Sequence, residues 1–176
     1  MVVSGIDEGE SVANSVPELL AELSRKKATA VSEQLDHLRR PAVIVGCDSM
    51  LELDGQAHGK PATAAQAVKR WRMMSGRSAM LLTGHHVIMR RAGETLTRSA
   101  VAATTLHFAE LTDGEIEAYV ATGEPLHVAG AFTIDGLGGA YVTGIEGDHH
   151  NVVGISLPLL RMMVAELGIS WPSLWH

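Results

Sequence analysis

Residues 41–47 read PAVIVGC, a short run that is β-branched and apolar throughout. Such a strand has no wet face, so it must lie inside a sheet covered on both sides. Covering helices are legible before and after it. Residues 15–38 predict a long helix: Pro17 sits near its start, and Leu20, Leu23, Val31, Leu35 and Leu38 share one face. Arg25, Lys26 and Lys27 fall largely off that stripe and read as a solvated face. After the strand, LELDGQ alternates and turns at Asp54-Gly55, a hairpin signal. Thr63 and Gln66 form a capping box, with Thr63 as cap, that opens a second helix. Its inner face carries Val68, Trp71 and Met73 or Met74, and Gly76 stops it.

Residues 79–91 and 94–108 predict two strands joined through Ala92-Gly93, the second with one wetter face. Thr112 and Glu115 form a capping box for a helix reaching about Ala121, with Gly123 as its stop. The glycine-rich segment 129–154 holds two strand-like pieces, AFTI and AYVTGI. A last helix runs from about Pro158 to Leu167 and ends at Gly168. Helices and strands therefore interleave, with some adjacent strand pairs. The pattern predicts an α/β fold: a mixed sheet with flanking helices. No repeat or linker divides the chain, so residues 1–176 read as one domain.

Composition narrows the function. The chain has 176 residues, 46% hydrophobic and 19% charged, which is globular. A net charge of −6 argues against general nucleic-acid binding, although one pocket can still be locally basic for a small anion. The single cysteine, Cys47, allows no internal disulfide and fits a reducing compartment. The start, MVVSGIDEGESV, has neither the basic region nor the apolar run of a signal peptide. No stretch approaches the roughly 18 apolar residues of a membrane span. These features predict a cytoplasmic protein that does not enter membranes.

Several residues could carry chemistry. Asp48 follows the apolar run, at the carboxyl end of the expected strand, where α/β sheets place their sites. There it could hold a divalent cation, act as a general base or cap a turn. Lys60, boxed by Gly59 and Pro61, offers a point charge to phosphate. Asp7 and Glu8 sit in a turn-like SGIDEGE, with Glu10 a weaker candidate. Asp135, in FTIDGLGG, is either a turn residue or a side chain aimed at a ligand. Cys47 ends an apolar run, where burial makes a thiol inert. His85-His86 and His149-His150 are adjacent pairs, read as strand residues facing opposite sides, and their spacing does not suit zinc. The methionines, Met162 and Met163 included, read as core filler.

Taken together, SGIDE (4–8), GCDSM…DGQAHGKP (46–61), SGR…LTGHHVI (75–88), EIEAYVATGEPLHVAGAFTIDGLGG (115–139) and IEGDHHNVVGISLPLL (145–160) resemble, in that order, the Maf family of nucleoside triphosphate pyrophosphatases. The resemblance is closest to actinobacterial members and covers Ser4 to about Leu167. It implies hydrolysis of the α–β phosphoanhydride of a nucleoside triphosphate, giving the monophosphate and pyrophosphate. It also implies a divalent metal, magnesium or manganese, a fold like that of inosine triphosphatases with a deep central cleft, and a homodimer. Clearing modified nucleotides and restraining septum formation are roles proposed for the family. By the same resemblance Asp48 is the proton acceptor, Glu8 a catalytic acid and metal partner with Asp48, and Lys60 the phosphate-side lysine. Ser49 and Asp135 occupy the base-discriminating positions, where the family usually has threonine and often glutamine. Glutamine both donates and accepts, whereas ionised aspartate only accepts, so Asp135 should favour a base edge that offers donors.

The family's N-terminal strand and its SxSPRR-type phosphate loop have no counterpart before Ser4. The chain therefore reads as N-terminally truncated relative to the family, and an in-frame segment upstream of Met1 is expected to encode the loop. The alternative is a non-catalytic homologue that binds nucleotides or regulates division.

Overall fold

The computed structural model describes residues 15–35, 41–91 and 93–175. Asp7, Glu8, Glu10, Leu38 and Ala92 lie outside the described residues. The elements run α1 (Val16–Gln34), β1 (Ala42–Leu53), β2 (Gln56–His58), α2 (Ala64–Met74), β3 (Ser78–Arg91), β4 (Glu94–Phe108), α3 (Asp113–Ala121), β5 (Val142–Glu146), α4 (His149–Val153) and α5 (Leu157–Glu166). Short 3-10 turns lie at Glu124–His127, Ala129–Ala131, Leu137–Tyr141 and Trp171–Leu174.

Local chemistry sets the ends of these elements. The Glu18 N–H donates to Ser15 Oγ at 3.4 Å, with Pro17 in the first turn of α1. At α2 the Gln66 N–H donates to Thr63 Oγ1 at 3.2 Å, but the Gln66 side chain takes its bond from the Ala62 N–H. The reciprocal box is complete at α3, between Thr112 and Glu115. Asp54 and Gly55, at φ 54° and 73°, make the tight turn that pairs Leu53 with Gln56.

The five strands are ordered β2-β1-β3-β4-β5, and the sheet is antiparallel rather than mixed. The reason is the path of α2. It carries the chain from β2 past β1 to β3, so the parallel strands β2 and β3 are not neighbours. β1 is also longer than its apolar run. It continues through Cys47, Asp48 and Ser49 to Leu53, so Asp48 lies within a strand and not at its end. AFTI (131–134) is not a strand: Gly130 and Ala131 have φ of 72° and 64°, and side chains rather than a ladder satisfy the backbone that follows. His149 and His150 lie on the short helix α4 and not on a strand.

The chain divides into two compact units. The first comprises Met1–Asp48, Thr83–Ala102 and Gly154–His176; the second, Ser49–Leu82 and Ala103–Val153. In the first, strand alternation sorts the core. Ile44 and Ile88 pack with Ala28 of α1, while Val43, Val45, Val87 and Met89 pack with Leu160, Met163 and Val164 of α5. Met163 is core, but Met162 beside it is 53% exposed, contrary to its expected filling role. In the second unit Trp71 is fully buried. Phe108, Tyr119 and Tyr141 stand edge-on to it at 5.4–5.7 Å. Its indole N–H donates to the Ala131 carbonyl at 2.7 Å. Among the described residues, no helix is long and apolar enough to cross a membrane.

Candidate active site

In the first unit the candidate residue is Asp48. Ile44, Gly46 and Asp48 alternate onto the α1 face of β1. α1 comes unusually close there: a Cβ on Gly46 would lie 2.3 Å from the Ser24 carbonyl oxygen, and one on Gly84 2.3 Å from that of Leu20. Only glycine permits this approach. It brings the Lys27 ammonium onto Asp48 Oδ1, in an ion pair whose side chains are 22% and 11% exposed. Cys47, next along β1, has its thiol pushed up to about 12 by burial first and by the Asp48 charge second. It is not a nucleophile, as its apolar context predicts.

Lys27 was expected in solvent and is not. Its neighbour Lys26 does take a surface role, pairing with Glu22 at 2.8 Å. Lys27 stands four residues after Leu23 and seven after Leu20, both fully buried, so it shares their face. That spacing is the signal in the sequence that would have found it.

The second unit carries Ser49, Lys60 and Asp135. Ser49 follows Asp48 on β1 and alternates to the opposite face. Lys60 is exposed, between β2 and the buried Pro61. The Gly59 carbonyl anchors its loop, accepting from Arg70 Nη1 at 2.5 Å and from the Gly130 N–H at 3.2 Å. The second bond ties the Lys60 loop to the head of the segment that carries Asp135. Asp135 is itself exposed.

That segment is folded around Glu124, a residue sequence reasoning passed over. Its carboxylate accepts from Tyr119 Oη at 2.9 Å, the Leu137 and Gly138 N–H groups at 3.1 Å each, and Thr133 Oγ1 in a short contact. Burial pushes this carboxyl up, but the bonds from Thr133, Leu137, Gly138 and Tyr119 outweigh it and hold the group down to about 2. The bonding partners lie five to fourteen residues away, and no period in the sequence announces them.

Histidines of both expected pairs bond within the fold. His85 is fully buried; its Nδ1 meets the Thr83 carbonyl at 3.0 Å, and its Nε2 accepts from the Ser156 N–H at 2.8 Å. His86 Nδ1 lies 2.6 Å from Ser99 Oγ. At the start of α4 the His150 N–H donates to Asp148 Oδ1 at 3.0 Å, and His150 Nδ1 lies 3.0 Å from the same oxygen. Among the described residues, no group of three His, Cys, Asp or Glu side chains stands ready for a metal. Asp48 offers carboxylate oxygens, the donors magnesium and manganese take. Its expected partner Glu8 lies outside the described residues.

The first unit thus holds a carboxylate paired with a lysine, and the second a lysine loop tied to a clamped glycine-rich loop. The profile of the Maf-like protein family matches residues 1–167, and the chain belongs to that family. It is 52% identical to the nucleoside triphosphate pyrophosphatase of Salinispora tropica, over 99% of this chain and 77% of the relative. The proteins of the same name from Cutibacterium acnes and Streptomyces coelicolor are 48% and 49% identical, over 100% and 99% of this chain and 84% and 83% of theirs.

Proposed function

We propose that this protein is a nucleoside triphosphate pyrophosphatase of the Maf family, a hydrolase of nucleotide metabolism. It cleaves the α–β phosphoanhydride of its substrate to give the monophosphate and pyrophosphate. The observation that carries this reading is the match to the Maf-like family over residues 1–167, and the Lys27–Asp48 pair lies on the residue the family resemblance makes the proton acceptor. Lys27 holds one oxygen of the Asp48 carboxylate, Oδ1. Asp48 takes a proton from water as its oxygen attacks phosphorus, and the bond to the leaving pyrophosphate breaks. Lys60 presents its ammonium to the phosphate chain and offsets charge that grows as that bond breaks. A divalent magnesium or manganese ion, held by Asp48 and Glu8, would add charge neutralisation on the phosphates. Ser49 and Asp135 meet the base, and Asp135 favours an edge that offers donors. We further propose a single Maf-like domain with a deep cleft, acting in the cytoplasm as a homodimer, as the family resemblance implies.

The test is pyrophosphate release from a panel of standard and modified nucleoside triphosphates with magnesium or manganese. Asp48→Asn should lower kcat by about 10²–10⁴-fold while leaving nucleotide binding measurable. Full activity in that variant would remove Asp48 from the mechanism. Binding without turnover by the parent chain would instead mark a non-catalytic nucleotide-binding protein.

A further inference from the structure

We infer that Glu124 is the positioning residue of the 133–138 loop and that, through this loop, it sets how sharply the enzyme discriminates among nucleobases. The inference deepens the pyrophosphatase reading and rests on it for the role of Asp135. The geometry brackets Asp135 closely. Thr133 donates to Glu124 from two residues before it, and the Leu137 and Gly138 N–H groups donate from two and three residues after it. One carboxylate thus closes the loop from both sides. Tyr119 supplies the fourth donor, so that Oε1 takes three bonds and Oε2 one. These bonds span the loop, and Glu124 acts on catalysis by holding its neighbours.

The glycines fit the same design. A Cβ on Gly136 would lie 2.8 Å from both Glu124 oxygens and 2.6 Å from Thr133 Oγ1; one on Gly138 would lie 2.4 Å from Tyr119 Oη. The loop therefore wraps the carboxylate with no room to spare. Its low proton affinity follows from the same four donors and keeps it charged through the neutral range. Asp135 is exposed and contributes no bond to this arrangement among those described. The clamp thus fixes where the residue at 135 stands without depending on its side chain.

Glu124→Gln tests this. It keeps the shape but removes the charge, and it sets an amide N–H₂ where one carboxylate oxygen stood, against the Leu137 N–H at the Oε2 position. kcat and KM are measured across the nucleotide panel, with thermal unfolding run beside them. Inhibition by tripolyphosphate, which has no base, reads the phosphate side alone. Expected is a collapse of the preference between best and worst nucleotide by about 10-fold or more. It should come mainly through KM, with tripolyphosphate inhibition unchanged. Thr133→Val, which removes one donor and no charge, should shift preference the same way by less, and it serves if Glu124→Gln does not fold. An equal loss for all nucleotides and for tripolyphosphate would overturn the inference, making Glu124 a support of the whole fold. Unchanged preference, or a parent enzyme with no preference, would overturn it too. If the parent turns over no nucleotide, the pyrophosphatase reading fails on its own, and equilibrium nucleotide affinities of parent and variant still decide the role of Glu124.

Discussion

Gly46→Ala asks whether the approach of α1 to β1 builds the Lys27–Asp48 pair proposed to serve catalysis. The added Cβ would stand 2.3 Å from the Ser24 carbonyl oxygen, 2.7 Å from the Ala28 nitrogen and 2.9 Å from Ala28 Cβ. Ordinary contact begins near 3.4 Å, so the closest atom is short by about 1 Å. The two nearest atoms are main chain, and no side-chain rotation relieves the clash. α1 has to lift over the turn that contains Lys27. Overpacking of this kind costs about 1–3 kcal/mol. In a chain of this size that lowers Tm by roughly 2–12 °C. A displacement near 1 Å at a group that orients the chemistry costs on the order of 10²-fold in rate. Circular dichroism melts and pyrophosphate release, run on the same preparations, measure both. The expected result is a lower Tm and a loss of turnover far beyond the unfolded fraction at the assay temperature. A variant as stable and active as the parent would refute the close approach. Reduced stability with full turnover would refute the link from α1 to the site. Gly84→Ala supplies the contrast. It meets Leu20, about two turns before Lys27, and should cost similar stability but less activity.

Three further outcomes follow from the geometry. Cys47, whose thiol burial pushes up to about 12, should react with iodoacetamide at pH 8 far more slowly than a free thiol; alkylation at the free-thiol rate would contradict that environment. Glu124 has its proton affinity lowered on folding, so its stabilising contribution is complete above about pH 4.5 and is lost as pH falls toward about 2. The stability advantage of the parent over Glu124→Gln should shrink across that window, and a gap that does not vary with pH would show that the four bonds are not what holds the charge. His85→Leu strands the Ser156 N–H inside the first unit and should cost about 1–3 kcal/mol in a urea melt. An unchanged midpoint would mean that water replaces the imidazole.

What was legible in the sequence was mostly local. Helix starts at Ser15, Thr63 and Thr112 and the Asp54-Gly55 turn depend on a few adjacent residues, and those readings agree with the structure. The extent of β1 was not legible, because the polar CDSM breaks the apolar run while the backbone stays extended in its ladder. The antiparallel sheet was hidden for a related reason: a helix between two strands suggests a parallel pair, and only the tertiary path shows that β1 separates them. α4 is five residues long, too short for a period to emerge. AFTI has strand composition, but its Thr133 N–H donates to Tyr119 Oη at 3.3 Å instead of to a neighbouring strand. At the site, Asp48 and Lys60 were singled out by their settings, whereas Lys27 and Glu124 were missed. Both are charged residues that a one-dimensional reading assigns to solvent, and both take their roles from partners far along the chain.

The clamp around Glu124 also bears on how such a protein can change over generations. The loop takes its shape from residues 119, 124, 133, 136 and 138. Position 135 supplies none of that support, so its codon is open to mutation at little risk to folding. On the proposed base-reading role of residue 135, altered substrate choice is reachable in a single step, whereas a side chain at 136 or 138 collides with the clamp itself. Fold and the proposed preference then rest on separate residues of one short loop.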